Sequence, residues 1–200
     1  MNERGYVVIV AGTPGVGKST VAARVASELG CARVIEPSEV AVSEGLGTPD
    51  PERPGTLIID EERLLRSIEQ KLAPGCTVLP THYPSVFLDD EGFNGLVPFA
   101  LLLRLNPSVL LDRLTKRGWP RKKVLENVMA EALGSVAQEL EPYSDMVIEV
   151  DATDKGPDDV VEELFNKLTL WDVGINVDWL SDDRLVPLVV RWGLELDSNE

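Results

Sequence analysis

Two rhythms of hydrophobic residues run along the chain. Near-unbroken apolar runs at Tyr6–Ala11, Cys76–Leu79, Val97–Leu103 and Met146–Val150 lack the alternation of a half-solvated sheet, and they predict strands buried on both faces. A shorter run, Ala32–Ile35, predicts one more strand. Between these runs apolar residues recur every three or four positions, the spacing of one helix face. Leu64, Leu65, Ile68 and Leu72 form one such stripe, and Val161, Leu164, Phe165 and Leu168 another. The longest is Leu125, Val128, Ala132, Val136 and Leu140, broadened by Met129 and Leu133, which read as core. Gly30 closes the first helix, Asp60 caps the second and Pro74-Gly75 ends it. Pro107 opens a third, and Gly118-Trp119-Pro120 breaks it before a long helix running to about Leu140. Gly156-Pro157-Asp158 starts the last. About five strands alternating with helices predict an α/β fold, a parallel sheet covered on both faces.

The link between the first strand and the first helix carries the most chemistry. Gly12-Thr13-Pro14-Gly15-Val16-Gly17-Lys18-Ser19, followed by Thr20, fits G-x-x-x-x-G-K-[ST] in the strand–turn–helix context that gives the pattern its meaning. Its glycines allow successive backbone N–H groups to curl around phosphate oxygens, and the helix behind presents the positive end of its dipole. Lys18 is spaced to reach the outer phosphates and Ser19 to ligate Mg²⁺ through its hydroxyl. A nucleoside triphosphate is the expected ligand.

Three other stretches add to this. From Glu36 to Gly55 a mixture of Pro, Gly, Ser and acidic residues replaces any sustained period, and four prolines argue against long regular structure. An insertion of this size reads either as an irregular loop or as a flap over a substrate. His82 is the only histidine and follows the strand at Cys76–Leu79. Loops at the carboxyl ends of parallel strands line the ligand crevice, so His82 is either a packing residue or a group that orients water or phosphate. Lys116, Arg117, Arg121, Lys122 and Lys123 place five of the nineteen basic residues in eight positions around Gly118. They form either a solvated helix start or a lid that closes guanidinium groups over a transferring phosphoryl group and excludes water. Arg113, on the same helix face as Arg117, and Arg104, at a strand end, are further candidates for phosphate contacts. The chain has no Asn-Lys-x-Asp guanine-reading motif and no protein-kinase motif set.

Composition limits the partners. Two hundred residues suit one α/β domain with an appendage, and 44% hydrophobic residues can fill its core. The net charge is −15, and residues 141–200 carry four basic against sixteen acidic side chains, or −12. Such a surface repels phosphate backbones, so no direct nucleic-acid binding is expected; it serves either solubility or a basic protein partner. Cys31 and Cys76 are too few for a disulfide framework and lack metal-ligand spacing. With no leader and no apolar stretch near the roughly 20 residues that span a bilayer, a reduced, cytoplasmic protein is expected, with no membrane partner.

The motifs together resemble those of the adenylate kinase isoenzyme 6 family, small P-loop nucleoside monophosphate kinases linked to small-ribosomal-subunit maturation. The resemblance covers about residues 5 to 168. It rests on Gly12–Thr20, Ile59-Asp60-Glu61-Glu62-Arg63, Thr81-His82, Leu103-Arg104-Leu105, Leu110–Leu114, Arg117-Gly118-Trp119 and Lys123–Val128. It implies a P-loop NTPase fold of three α/β/α layers with a five-stranded parallel sheet, of nucleoside monophosphate kinase type. The kinase domain would span 1–169, with a monophosphate-binding flap at 36–59 and a lid at 116–126, and 170–200 would be a C-terminal extension. Gly15, Val16, Gly17, Lys18, Ser19, Thr20 and Arg117 would bind ATP, with Mg²⁺ on Ser19. Lys18, Arg117 and His82 would carry catalysis.

The implied reaction is reversible transfer of the ATP γ-phosphate to AMP or a related monophosphate. Slow ATPase activity and binding of ribosomal protein S11 during rRNA maturation are also implied. The family has Asp-x-His at the end of its third strand, where the Asp helps hold Mg²⁺ through water. This chain reads Pro80-Thr81-His82, and proline cannot take that role. Two alternatives follow: an assembly ATPase with little kinase activity, or a small-molecule kinase on the same fold.

Overall fold

The computed structural model describes residues 5–51 and 57–197. In chain order the elements are β1 (Tyr6–Ala11), α1 (Lys18–Leu29), β2 (Arg33–Val34), α2 (Pro37–Ser43), β3 (Gly47–Pro49), β4 (Leu57–Ile59), α3 (Glu61–Lys71), β5 (Cys76–Thr81), α4 (Ser85–Leu88) and α5 (Glu91–Asn94). They continue with β6 (Ala100–Arg104), α6 (Pro107–Lys116), α7 (Arg121–Ala132), α8 (Ser135–Leu140), β7 (Val147–Asp151), α9 (Pro157–Leu170) and α10 (Val186–Asp197). Five strands form one parallel sheet in the order β2-β5-β1-β6-β7, the expected α/β architecture.

The unbroken apolar strands have the predicted cause. Val8 and Val10 of β1 pack into a core cluster with residues of α1, α6, α7, α9 and α10, while Val7, Ile9 and Ala11 pack into a second cluster on the other face. Alternate residues point to opposite sides of a strand, so in β1, between two helical layers, both sets are apolar. Because β1 is the central strand, the loop after it opens at the middle of the sheet's carboxyl edge, where open α/β sheets bind ligands.

Four expectations need correction. The stripe to Leu140 is two helices, because Gly134 adopts a left-handed conformation (φ 69°) between α7 and α8. Leu133, beside that break, is exposed rather than core. The segment from 36 onward is more regular than its prolines suggested: Pro37 occupies the first turn of α2, where a missing N–H costs nothing, and β3 pairs antiparallel with β4. Residues 52–55 of that segment lie outside the described residues. The strand beginning at Val97 starts only at Ala100.

The fourth correction is chemical: Cys31 and Cys76 form a disulfide. Their separation of 45 residues hides the fact that the end of α1 returns beside the start of β5, where Ala32 N–H donates to the Cys76 carbonyl.

After α9 the chain runs along the edge of β7, where Gly174 N–H donates to the Val147 carbonyl, and then folds into α10. Trp179, Leu185, Val189 and Trp192 are buried, and α10 lies on α7. Among the described residues no helix is long and apolar enough to cross a membrane.

Candidate active site

The phosphate loop takes its shape from two close approaches. Gly12 has φ +146°, and a Cβ there would stand 2.6 Å from the Leu103 carbonyl oxygen of β6. Gly15 has φ +100°, and its Cβ would meet the Leu114 and Leu110 methyl groups at 2.6 and 2.9 Å. Only glycine permits both the backbone angle and the contact. The loop is tied from outside by Arg113, whose guanidinium donates to the carbonyls of Gly15 (3.2 Å) and Val16 (2.9 Å). Arg113 therefore braces the loop, and the face it shares with Arg117 points this way for a structural reason. Gly17 is the residue before α1, so the first turn of that helix, Lys18-Ser19-Thr20, opens into the loop with its unpaired N–H groups. Ser19 and Thr20 are exposed there.

Lys18 Nζ donates to the Thr13 carbonyl at 3.2 Å. Burial lowers its pKa to about 8, against the raising influence of Glu36 and Glu131. His82 sits at the end of β5, its ring 4.1 Å from that of Tyr83. Burial, with the charges of Lys18 and Lys123, lowers its pKa to about 4, so it is neutral at physiological pH. Lys18 and Lys123 both act on His82, so the phosphate loop, the β5 end and the start of α7, three of the stretches singled out by sequence, lie within electrostatic reach of one another.

The basic stretch divides. Arg117, at the exposed end of α6, precedes Gly118, which has φ +73°. Lys123 lies over the Trp119 ring, 4.9 Å from its centroid. Arg121 is held in a two-pronged pair with Glu195 of α10 (2.7 and 2.8 Å), so it is a tether for the C-terminal segment.

Arg104 is the plainest departure from expectation. It is 2% exposed and bonds Glu131 and Glu149, each at 2.9 Å, so it cannot contact a phosphate. Glu131, which the sequence reading passed over, also accepts from the Thr13 hydroxyl at 2.5 Å. The signal was present: Glu131 stands three residues after Val128, on the stripe that faces the core.

The loop's positive-φ glycines and free helix N-terminus fit a triphosphate. For Mg²⁺ the protein offers less. No group of three or more His, Cys, Asp and Glu side chains is placed to hold a metal among the described residues. Of the two carboxylates that could stand in for the Asp missing at Pro80, Asp60 caps α3 by accepting from Arg63 N–H, and Asp89 accepts from the Tyr143 hydroxyl. Ser19, exposed in the first turn of α1, is the hydroxyl that would meet an ion arriving with the nucleotide.

Residues 8–134 match the family model described as an AAA domain. A protein of Sulfurisphaera tokodaii named "Putative adenylate kinase" is 30% identical over 194 residues, 97% of this chain and 96% of that one. One of the same name from Saccharolobus solfataricus is 34% identical over 192 residues, 96% and 94% of the two chains. Among solved structures, a gluconokinase from Sinorhizobium meliloti 1021 superposes with a TM-score of 0.54 at 22% identity, over 85% of this chain and 94% of that one. A thymidylate kinase from Candida albicans does so with a TM-score of 0.52 at 17% identity, over 88% and 96%. These two likenesses establish the P-loop kinase fold. Near full-length similarity at the sequence level goes further: the chain belongs to the archaeal adenylate-kinase-like family of P-loop, AAA-domain proteins.

Proposed function

We propose that the protein is a nucleoside monophosphate kinase that transfers the γ-phosphate of Mg·ATP to AMP or a related monophosphate. What supports this most is the convergence at His82. A half-buried phosphate-loop lysine and a lysine from the basic stretch both act on one neutral imidazole at the sheet's carboxyl edge. That arrangement concentrates positive charge where a triphosphate's outer oxygens would lie, with one uncharged ring among the cations.

Phosphoryl transfer asks the protein for positioning, charge neutralisation and exclusion of water rather than covalent chemistry. The backbone of Gly15, Val16 and Gly17 and the first turn of α1 cradle the phosphates. Lys18 leaves the Thr13 carbonyl for the β- and γ-phosphoryl oxygens. Ser19 would hold Mg²⁺, which when bound would supply further charge neutralisation. Arg117 and Lys123, on either side of Gly118, close over the phosphoryl group. His82, uncharged, donates or accepts one hydrogen bond without adding a competing positive charge. The 36–59 segment, with Val42 and Ile58 exposed, receives the acceptor nucleotide.

The same fold also serves sugar-acid kinases, so acceptor class is the variable to test. Purified protein with Mg·ATP is assayed against AMP, CMP, GMP, UMP and dTMP, with gluconate, shikimate and no acceptor as the other arms. A nucleoside monophosphate is expected to stimulate ADP release above the acceptor-free rate. Stimulation by gluconate or shikimate alone would replace this reading with a small-molecule kinase, and equal rates in every arm would make it an ATPase.

A further inference from the structure

Three buried charges lie behind the phosphate loop, and no step of the transfer uses them. Arg104, Glu131 and Glu149 are each less than 5% exposed, and the donors to the two glutamates come from three parts of the chain. One Glu131 oxygen accepts from the Thr13 hydroxyl at 2.5 Å. The other accepts from Arg104 (2.9 Å), from the Leu105 N–H (3.1 Å) and from the Trp179 indole N–H (3.0 Å). Glu149 accepts from Arg104 and from the N–H groups of Asn176 and Val177, at 2.9, 2.5 and 2.9 Å. Arg104 in turn donates to the Val177 carbonyl at 3.0 Å. The segment 176–179 thus completes the hydrogen bonding of the buried charges.

Buried ion pairs often stabilise no more than apolar packing of equal volume, so what these charges add is direction. Thr13 is fixed at both ends: its hydroxyl on Glu131, its carbonyl accepting from Lys18. A displacement of Thr13 therefore moves the carbonyl on which the lysine rests.

We propose that Glu131 is a positioning residue for the nucleotide. One carboxylate oxygen anchors Thr13 and so sets the phosphate loop, and the other makes that anchor depend on the seating of Trp179 in the C-terminal segment. The inference rests on the loop being an ATP site.

Removing the Glu131 charge would strand Arg104 in the core, so the test alters its two partners instead. Binding of Mg·ATP is measured by calorimetry, well below the unfolding temperature, for wild type, Thr13→Val, Thr13→Ser, Trp179→Phe and the Thr13→Val/Trp179→Phe double variant. Thr13→Val keeps the volume and loses the donor, and it is expected to weaken binding about tenfold. Thr13→Ser returns the hydroxyl and brings affinity back to within about twofold. Trp179→Phe keeps the ring, loses the indole N–H and weakens binding about threefold. The double variant loses less than the product of the two, because both act through one carboxylate.

Wild-type affinity in Thr13→Val, or a Trp179→Phe protein whose melting temperature falls while its affinity stays, overturns the inference. Wild-type protein that binds no Mg·ATP overturns the reading of the loop itself.

Discussion

Lys18 carries its charge under opposed influences, and this gives the site a pH dependence with a definite sign. Burial lowers its pKa from 10.5 to about 8, and only the ammonium form attracts phosphate. A bound triphosphate favours that form, so binding takes up part of a proton near pH 8, and affinity falls as pH rises from 7 through 9. Lys18→Arg, charged at every pH used, is expected to flatten the profile whatever its absolute affinity; an unchanged slope in that variant would point to another group. His82 makes the opposite kind of statement, about stability. Its folded pKa of about 4 lies below the unfolded value of 6.5, so between those values the unfolded chain binds the extra proton. Stability from this residue is complete above pH 6.5 and is lost as pH falls towards 4, by up to about 3 kcal/mol. Urea unfolding at pH 7 and pH 4.5 measures it: His82→Gln should lose less stability on acidification than wild type, and parallel losses would contradict the assignment.

At the scale of elements, the disulfide has the largest consequence. It joins the end of α1 to the start of β5 and so closes a loop that contains β2, α2, β3, β4 and α3. Cross-linking residues 45 apart restricts the unfolded chain by about 4 kcal/mol in the loop-entropy treatment. Cys31→Ser and chemical reduction are each expected to lower unfolding stability towards that amount, and the variant should not respond further to reductant. Unchanged stability on reduction would show that the bond contributes nothing. The parallel strands and the helices between them were legible because a strand covered on both faces is mostly apolar, as Val7–Ala11 of β1 and Ala100–Leu103 of β6 are. The cysteine pair was not legible, since spacing along the chain carries no information about which element ends return to each other. The break at Gly134 was obscured by an apolar stripe that continues across it, although a glycine in mid-stripe was a visible warning.

Across the whole molecule, the C-terminal segment grips α7 at both ends. Glu195 holds Arg121 at its start, and Trp179 meets Glu131 near its finish. The basic stretch and the support of the phosphate loop therefore share one helix, and the acidic last third of the chain holds both. Sequence alone named the loop, the histidine and the basic stretch because each is a departure from its surroundings. The buried charges were equally anomalous: an arginine ending an apolar strand, a glutamate inside another and a glutamate on a core stripe. Arg104 was read as a phosphate contact and the two glutamates were given no role, because only the fold brings the three into contact.

ADP yield distinguishes transfer of a phosphoryl group to a second nucleotide from hydrolysis. Protein with Mg·ATP is followed with and without AMP, beside Lys18→Ala. ADP formation is expected to require AMP, to give two ADP for each ATP consumed, and to slow by about a hundredfold or more in the variant. ADP released at the same rate without AMP, with phosphate appearing in equal amount, would contradict it.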